Sequence, residues 1–188
     1  MKHTRKQIYT LAWLVLLSIP ATLATAHRTE DEILKDLREP NSMIVVAALS
    51  RLEDDYPNSP KSIAAIKGLL NDSRPRVRRK AARVLGVIAA EVNQNEINLI
   101  CGLLKSSDPN EVQDGLKSLR GVRATSAVPE ILRVLKHKDE NVLRDACRTL
   151  AVLGNKETIP AIEPLLNHPL PAVRKDAAVA IAALRDKP

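Results

Sequence analysis

Apolar positions recur along the chain at two scales. Within a segment they fall three or four residues apart, the spacing of one helix face. Across segments the same columns return every 31–34 residues. Ile33, Ile66, Ile100, Ile131 and Ile162 form a first column, and Leu37, Leu70, Leu104, Leu135 and Leu166 a second, four residues later. Ala48, Ala81, Gly115, Ala146 and Ala177 form a third, and Leu52, Leu85, Leu119, Leu150 and Ile181 a fourth, again four residues on. All four columns step by 33, 34, 31 and 31 residues. Four columns in register over five copies make an internal repeat.

Each unit reads as two helices. The first carries Ile and Leu one turn apart on a buried stripe. A polar turn follows, as in Pro40-Asn41-Ser42, Asp72-Ser73, Ser107-Asp108-Pro109 and Asp139. Side chains of this kind accept hydrogen bonds from the unpaired N–H groups at a helix start. The second helix places a small residue where helices approach closely, then Leu or Ile one turn later. The expected fold is all-α: an α-solenoid of about five stacked two-helix repeats over residues 27–188.

The first 26 residues do not share the pattern. Lys2, Arg5 and Lys6 precede an apolar run from Ile8 to Ile19, Pro20 breaks it, and Ala24-Thr25-Ala26 follows. A basic start, a short apolar core and a small-x-small site are the marks of a secretory signal peptide. Cleavage is expected after Ala26, which makes the protein exported, periplasmic or secreted. The alternative is an uncleaved anchor, but the run is shorter than the ~20 residues a span needs. His27, not Cys, follows the cut, so no lipid anchor is expected. No later apolar run is long enough to span a membrane.

Composition narrows the function. The chain has no Phe, and Trp13 and Tyr9 lie in the leader, so Tyr56 is the only aromatic residue beyond it. Aromatic cages and base-stacking platforms are excluded on that ground. Cys101 and Cys147 fall on different helices of different repeats and are expected to be free thiols. The chain contains no Gly-rich phosphate loop, nucleophile elbow or Cys-x-x-Cys. No catalytic residue and no cofactor are therefore assigned, and the chain is not read as an enzyme.

The segment from Val77 to Gly86, Val-Arg-Arg-Lys-Ala-Ala-Arg-Val-Leu-Gly, resembles the second helix of a HEAT repeat of the short, phycobilisome-lyase-like type. The segments Val142–Leu150 and Val173–Ala178 resemble it too. Repeat three departs, with Glu111-Val112-Gln113 and Gly115, and repeat one has Val45 where Arg is usual; looser packing is expected in both. The resemblance implies a scaffold that binds other proteins along a ridge or concave surface. A catalytic branch, similar to deoxyhypusine hydroxylase, holds iron through His-Glu pairs. Here His27 precedes Arg28, His137 precedes Lys138 and His168 precedes Pro169, so that branch is not implied. His137 and His168 share one position in consecutive repeats, but a tight metal site wants three or four ligands, and no metal is assigned.

Charge carries the remaining information. The formal net charge is +7, and +4 once the leader is removed. Residues 27–55 carry −4 and residues 56–188 carry +8. Winding the second helices at 100° per residue puts Arg79, Arg83, Lys117, Arg120, Arg144, Arg148 and Lys175 on the side opposite the core, with no acidic residue at those positions. A continuous basic ridge is expected, with most of its Arg residues uncompensated. Its expected role is to bind an acidic protein or polymer, the plainer reading being a solvated face. Reversing Arg83, Lys117 and Arg148 together is expected to spare the fold. The last helix is apolar on nearly every side, which makes Val179 a candidate contact for self-association or partner docking. Two functions stay open: an exported interaction scaffold and a self-associating structural module. Nucleic acid is a weaker third, since export and the missing aromatics count against it.

Overall fold

A computed structural model of the protein describes residues 27–88 and 91–187; the leader and its expected cleavage site lie outside them. Five helix pairs follow one another. Repeat one comprises α1 (Glu30–Asp36) and α2 (Ser42–Asp55), and repeat two α3 (Pro60–Gly68) and α4 (Pro75–Ile88). Repeat three comprises α5 (Gln94–Leu103) and α6 (Pro109–Gly121), and repeat four α7 (Val128–Val134) and α8 (Glu140–Leu153). Repeat five comprises α9 (Ile159–Ile162), prolonged by a 3₁₀ segment Glu163–Asn167, and α10 (Pro171–Arg185). The described residues contain no strand.

The turn residues start the second helices as expected. Asn41 accepts from the Met43 N–H, Asp108 from Asn110, and Asp139 from Asn141 and Val142. One turn position keeps its job in repeats two to five while its residue changes. Asp72, Ser106, His137 and His168 each accept the backbone N–H two residues on. The shared histidine position is thus explained by turn geometry: Nδ1 of each imidazole is occupied by a main-chain donor. Arg78 and Arg174, equivalent residues of α4 and α10, both hold two turn carbonyls, Asp72 and Ser73 in one case and His168 and Pro169 in the other.

The second helices α2, α4, α6, α8 and α10 pack each on the next, and one apolar core runs from Ile33 to Leu184. The first, third and fourth columns are buried in every repeat, and Leu119 and Leu150 are fully inaccessible. The second column holds less strictly. Leu104 is half-buried beside a buried Leu103, and Leu166 is 38% exposed, because the 3₁₀ segment Glu163–Asn167 buries Leu165 instead.

Repeat three corrects the expectation of loose packing. Its helix α6 lies so close to α4 that a Cβ on Gly121 would come within 1.9 Å of the Gly86 carbonyl oxygen. Ser118 sits between them and donates to the Ala82 carbonyl at 2.6 Å. Glycine at 86 and 121 is therefore what lets the two backbones approach. Helix α6 ends with Arg123 at φ 54°, a left-handed position that Gly usually fills. The Ala124 N–H reaches back to the Leu119 carbonyl across it.

Repeat one is also tightly held, with Val45 fully buried in place of the usual Arg. Thr29 and Glu32 form a reciprocal capping box at the start of α1, and the Tyr56 hydroxyl donates to the Arg28 carbonyl at 3.0 Å. Arg74 bridges from repeat two to the Glu39 and Pro40 carbonyls. No helix among the described residues is long and apolar enough to cross a membrane.

Candidate functional site

The seven ridge residues fall on α4, α6, α8 and α10, and the structure divides them into two groups. Arg79, Lys117, Arg144 and Arg148 reach across to the next repeat. Arg79 donates from Nε to Asp114 at 2.9 Å, Lys117 lies 3.6 Å from Asp145, and Arg144 donates from Nε to Asp176 at 2.8 Å. Arg148 contacts Asp145 at 3.5 Å and Asp176 at 3.0 Å. The acceptors form a column of their own: Asp114, Asp145 and Asp176 each stand one residue before the small residue of their helix, and all are largely buried. Each takes a cation from the preceding repeat, so the contacts form a ladder between repeats two and five. Hydrogen bonding to Asp176 holds the Arg144 guanidinium still further in its charged range.

The ridge is thus more neutralised than the pattern of cations alone implies. The reason is geometric. The Asp column points toward the preceding helix, within reach of that helix's Arg and Lys, although its winding angle on its own helix lies outside the ridge. Register at 31-residue steps makes this column visible in the sequence, provided it is read across helices. The ladder also alters one expectation. Reversing Lys117 or Arg148 would set a carboxylate against buried Asp145 or Asp176, so of the three only Arg83 can be reversed without loading the fold.

Arg83, Arg120 and Lys175 form no ion pair with another described residue. Arg76, which the ridge pattern omits, joins them. Arg76 and Arg83 lie seven residues apart on α4, two turns on one face, about 10.5 Å along the axis. Both are exposed. With Arg79 and Lys80 between them, and with Val46, Pro75 and Asp114, they line an open recess of about 650 Å³ between α2 and α4. Helix α4 carries five cations and no acid. Glu53 takes Lys80 at 2.8 Å, Glu111 takes Arg78, and Asp108 and Asp114 take Arg79. Nothing comparable is left for Arg76 and Arg83.

The origin of this surplus is a change in the Asp column. At the junction of repeats one and two the column holds Lys80, which pairs backward with Glu53 of α2, and repeat one has Ala47 there. The polarity of the rung is inverted, and the cationic face of α4 is left open. Elsewhere Val179, the candidate contact on α10, is 57% exposed. Cys101 and Cys147 are buried free thiols, and burial pushes Cys147 up to about 12.

Residues 97–185 match the family model for HEAT repeats. Solved structures agree on the fold over most of the chain. The complex of CpcE and CpcF of phycocyanin lyase from Nostoc sp. PCC7120 contains a chain that superposes with a TM-score of 0.72 at 20% identity, covering 88% of this chain and 68% of that one. A designed armadillo repeat protein in complex with the peptide (KR)4 superposes at 0.61 with 17% identity, covering 81% and 80%. An engineered protein superposes at 0.62 with 21% identity, covering 82% and 78%. No curated protein sequence matches the chain. The chain folds as an α-solenoid of stacked helical repeats, an architecture consistent with a protein-interaction scaffold.

Proposed function

We propose that this protein is an exported interaction scaffold that binds an acidic partner protein across its second-helix surface, with the recess at Arg76 and Arg83 as the point of strongest attraction. The observation that carries the reading is the pair of exposed guanidinium groups left over where the Asp column is replaced by Lys80. Binding is electrostatic and needs no bond to be made or broken, and no metal or cofactor takes part. Arg120 and Lys175 extend the attraction along the stack, while Arg79, Lys117, Arg144 and Arg148 hold the surface rigid. The solved neighbours give the reading a precedent in form: one is a two-protein complex and another holds a basic peptide. This surface has the opposite need, an acidic ligand. Its lack of exposed aromatic groups weighs against nucleic acid.

The test is an anisotropy titration of a labelled oligoglutamate peptide with the purified protein. Binding is expected to weaken steeply as salt rises, because exposed charges are screened beyond about 8–10 Å near physiological ionic strength. Arg76→Glu with Arg83→Glu is expected to abolish it. Binding that ignores both salt and these substitutions would overturn the reading. A second reading, self-association, is favoured by one observation, the exposure of Val179 and its neighbours on the last helix.

A further inference from the structure

The two ends of the stack are finished differently. In repeats two to five the residue before the fourth column, Val84, Ser118, Thr149 or Ala180, is buried; Ser118 donates to the Ala82 carbonyl of the preceding repeat, and Thr149 to the Asp145 carbonyl of its own helix. In repeat one that residue is Arg51, which is exposed and closes the N-terminal end with charge. The C-terminal end has no such device. The residue three before the fourth column is buried as Leu49, Ala82, Leu116 and Cys147, yet exposed as Ala178.

The uncovered face of α10 is electrically asymmetric. Lys175 lies at one end and Asp186 just past the other, with Val179 and Ala182 between them, all exposed. Eleven residues at 100° each bring Lys175 and Asp186 back to the same edge, about 16 Å apart along the axis. Neither forms an ion pair with another described residue.

We propose that this face docks on a second copy of the chain, α10 against α10, antiparallel about a two-fold axis between Ala180 and Ile181. The proposal rests on the self-association reading above and supplies its geometry. In a two-fold antiparallel pair each edge of a helix meets the same edge of its mate. Residues equidistant from the axis then oppose one another. Lys175 meets the partner's Asp186, twice by symmetry, and Val179 meets the partner's Ala182. A parallel pairing would set Lys175 on Lys175, so the charges choose the direction. A head-to-tail stack would press this face onto the end closed by Arg51. One helix pair covers less than the roughly 1,200 Å² of a standard interface, so the dimer is weak and concentration-dependent.

Sedimentation of the purified protein over a range of concentrations at low salt tests this. The wild type is expected to dimerise reversibly. Lys175→Asp and Asp186→Lys should each weaken the dimer about tenfold or more, as two exposed pairs turn from attraction to repulsion. Carrying both substitutions on one chain, or mixing the two single variants, should restore it. Both changes suit the helix dipole, an acid near the start of α10 and a base at its end, so folding is retained. Val179→Glu should also dissociate the dimer. A protein that stays monomeric overturns both this proposal and the self-association reading. A dimer indifferent to all three variants overturns this face and leaves self-association standing. Loss on single substitution without restoration by the swap overturns the antiparallel geometry.

Discussion

The first junction of the solenoid and the three that follow share one core and differ in one charge column. From repeat three onward an Asp on each second helix receives Arg or Lys from the repeat before, at 2.8–3.6 Å. At the first junction Lys80 occupies that column and Glu53 supplies the acid. The apolar contacts are unaffected: Leu52 and Leu85 are as inaccessible as Leu119 and Leu150. The lesson is that in a stacked repeat the core sets the fold, while a single column decides whether surface cations serve the stack or face outward. Inverting that column leaves Arg76 and Arg83 without partners and makes the recess.

The largest expected effect tests whether the cores are equivalent. Leu85→Ala and Leu150→Ala should each cost about 2–5 kcal/mol in urea unfolding, as for other buried Leu truncations. Closely similar losses would support a common core; a large gap between them would mean the junctions differ in packing as well as charge.

Next come the rungs. Asp114→Ala or Arg144→Ala should cost about 1–3 kcal/mol, between the limits for exposed and buried ion pairs. Arg76→Ala and Arg83→Ala should stay within about 0.5 kcal/mol, as for surface residues without partners. Equal costs for the two groups would erase the distinction between rung and free cation.

Acid should act on repeat one before repeat four. Hydrogen bonds from Ser59 and Ser62 hold Glu30 below the usual carboxylate range, and Lys61, the Thr29 backbone and Arg28 do the same for Asp31, Glu32 and Asp36. A carboxyl with a depressed pKa stabilises the fold above its unfolded value, near 4, and loses that contribution as pH falls through the lower folded value. Amide exchange measured from pH 5 downward should show α1 losing protection before α8. Simultaneous loss along the chain would contradict this. The smallest effect is a gain. Arg123→Gly relieves the left-handed residue after α6 and should stabilise by about 0.5–1 kcal/mol, read as a raised urea midpoint.

The repeat, its register and the helix starts were legible because burial imposes periodic apolar positions that recur in each copy. Leu166 broke its column because the apolar spacing does not reveal that Glu163–Asn167 winds as a 3₁₀ segment, which buries Leu165 instead. The Gly86–Gly121 approach was illegible for a related reason: each glycine looks like a helix defect until the neighbouring helix is in place. The ridge was legible as a set of cations, since Arg79, Lys117, Arg144 and Arg148 repeat in register. The pair Asp145 with Arg148, three residues apart on one helix, was legible, while the cross-repeat pairs were not, because Asp114, Asp145 and Asp176 meet Arg79, Lys117 and Arg144 from adjacent helices. The histidines at 137 and 168 read ambiguously because an imidazole can do the turn work of Asp or Ser.

The division of cations into rungs and free groups is tested most directly by measuring binding and stability on the same two variants. One carries Arg76→Ala and Arg83→Ala, the other Arg79→Ala and Arg144→Ala. Each is titrated with the labelled oligoglutamate peptide and unfolded in urea. The first variant should lose most of its affinity and keep its urea midpoint; the second should lose midpoint by more than it loses affinity. The reverse pattern, or equal changes in both quantities for both variants, would contradict the account.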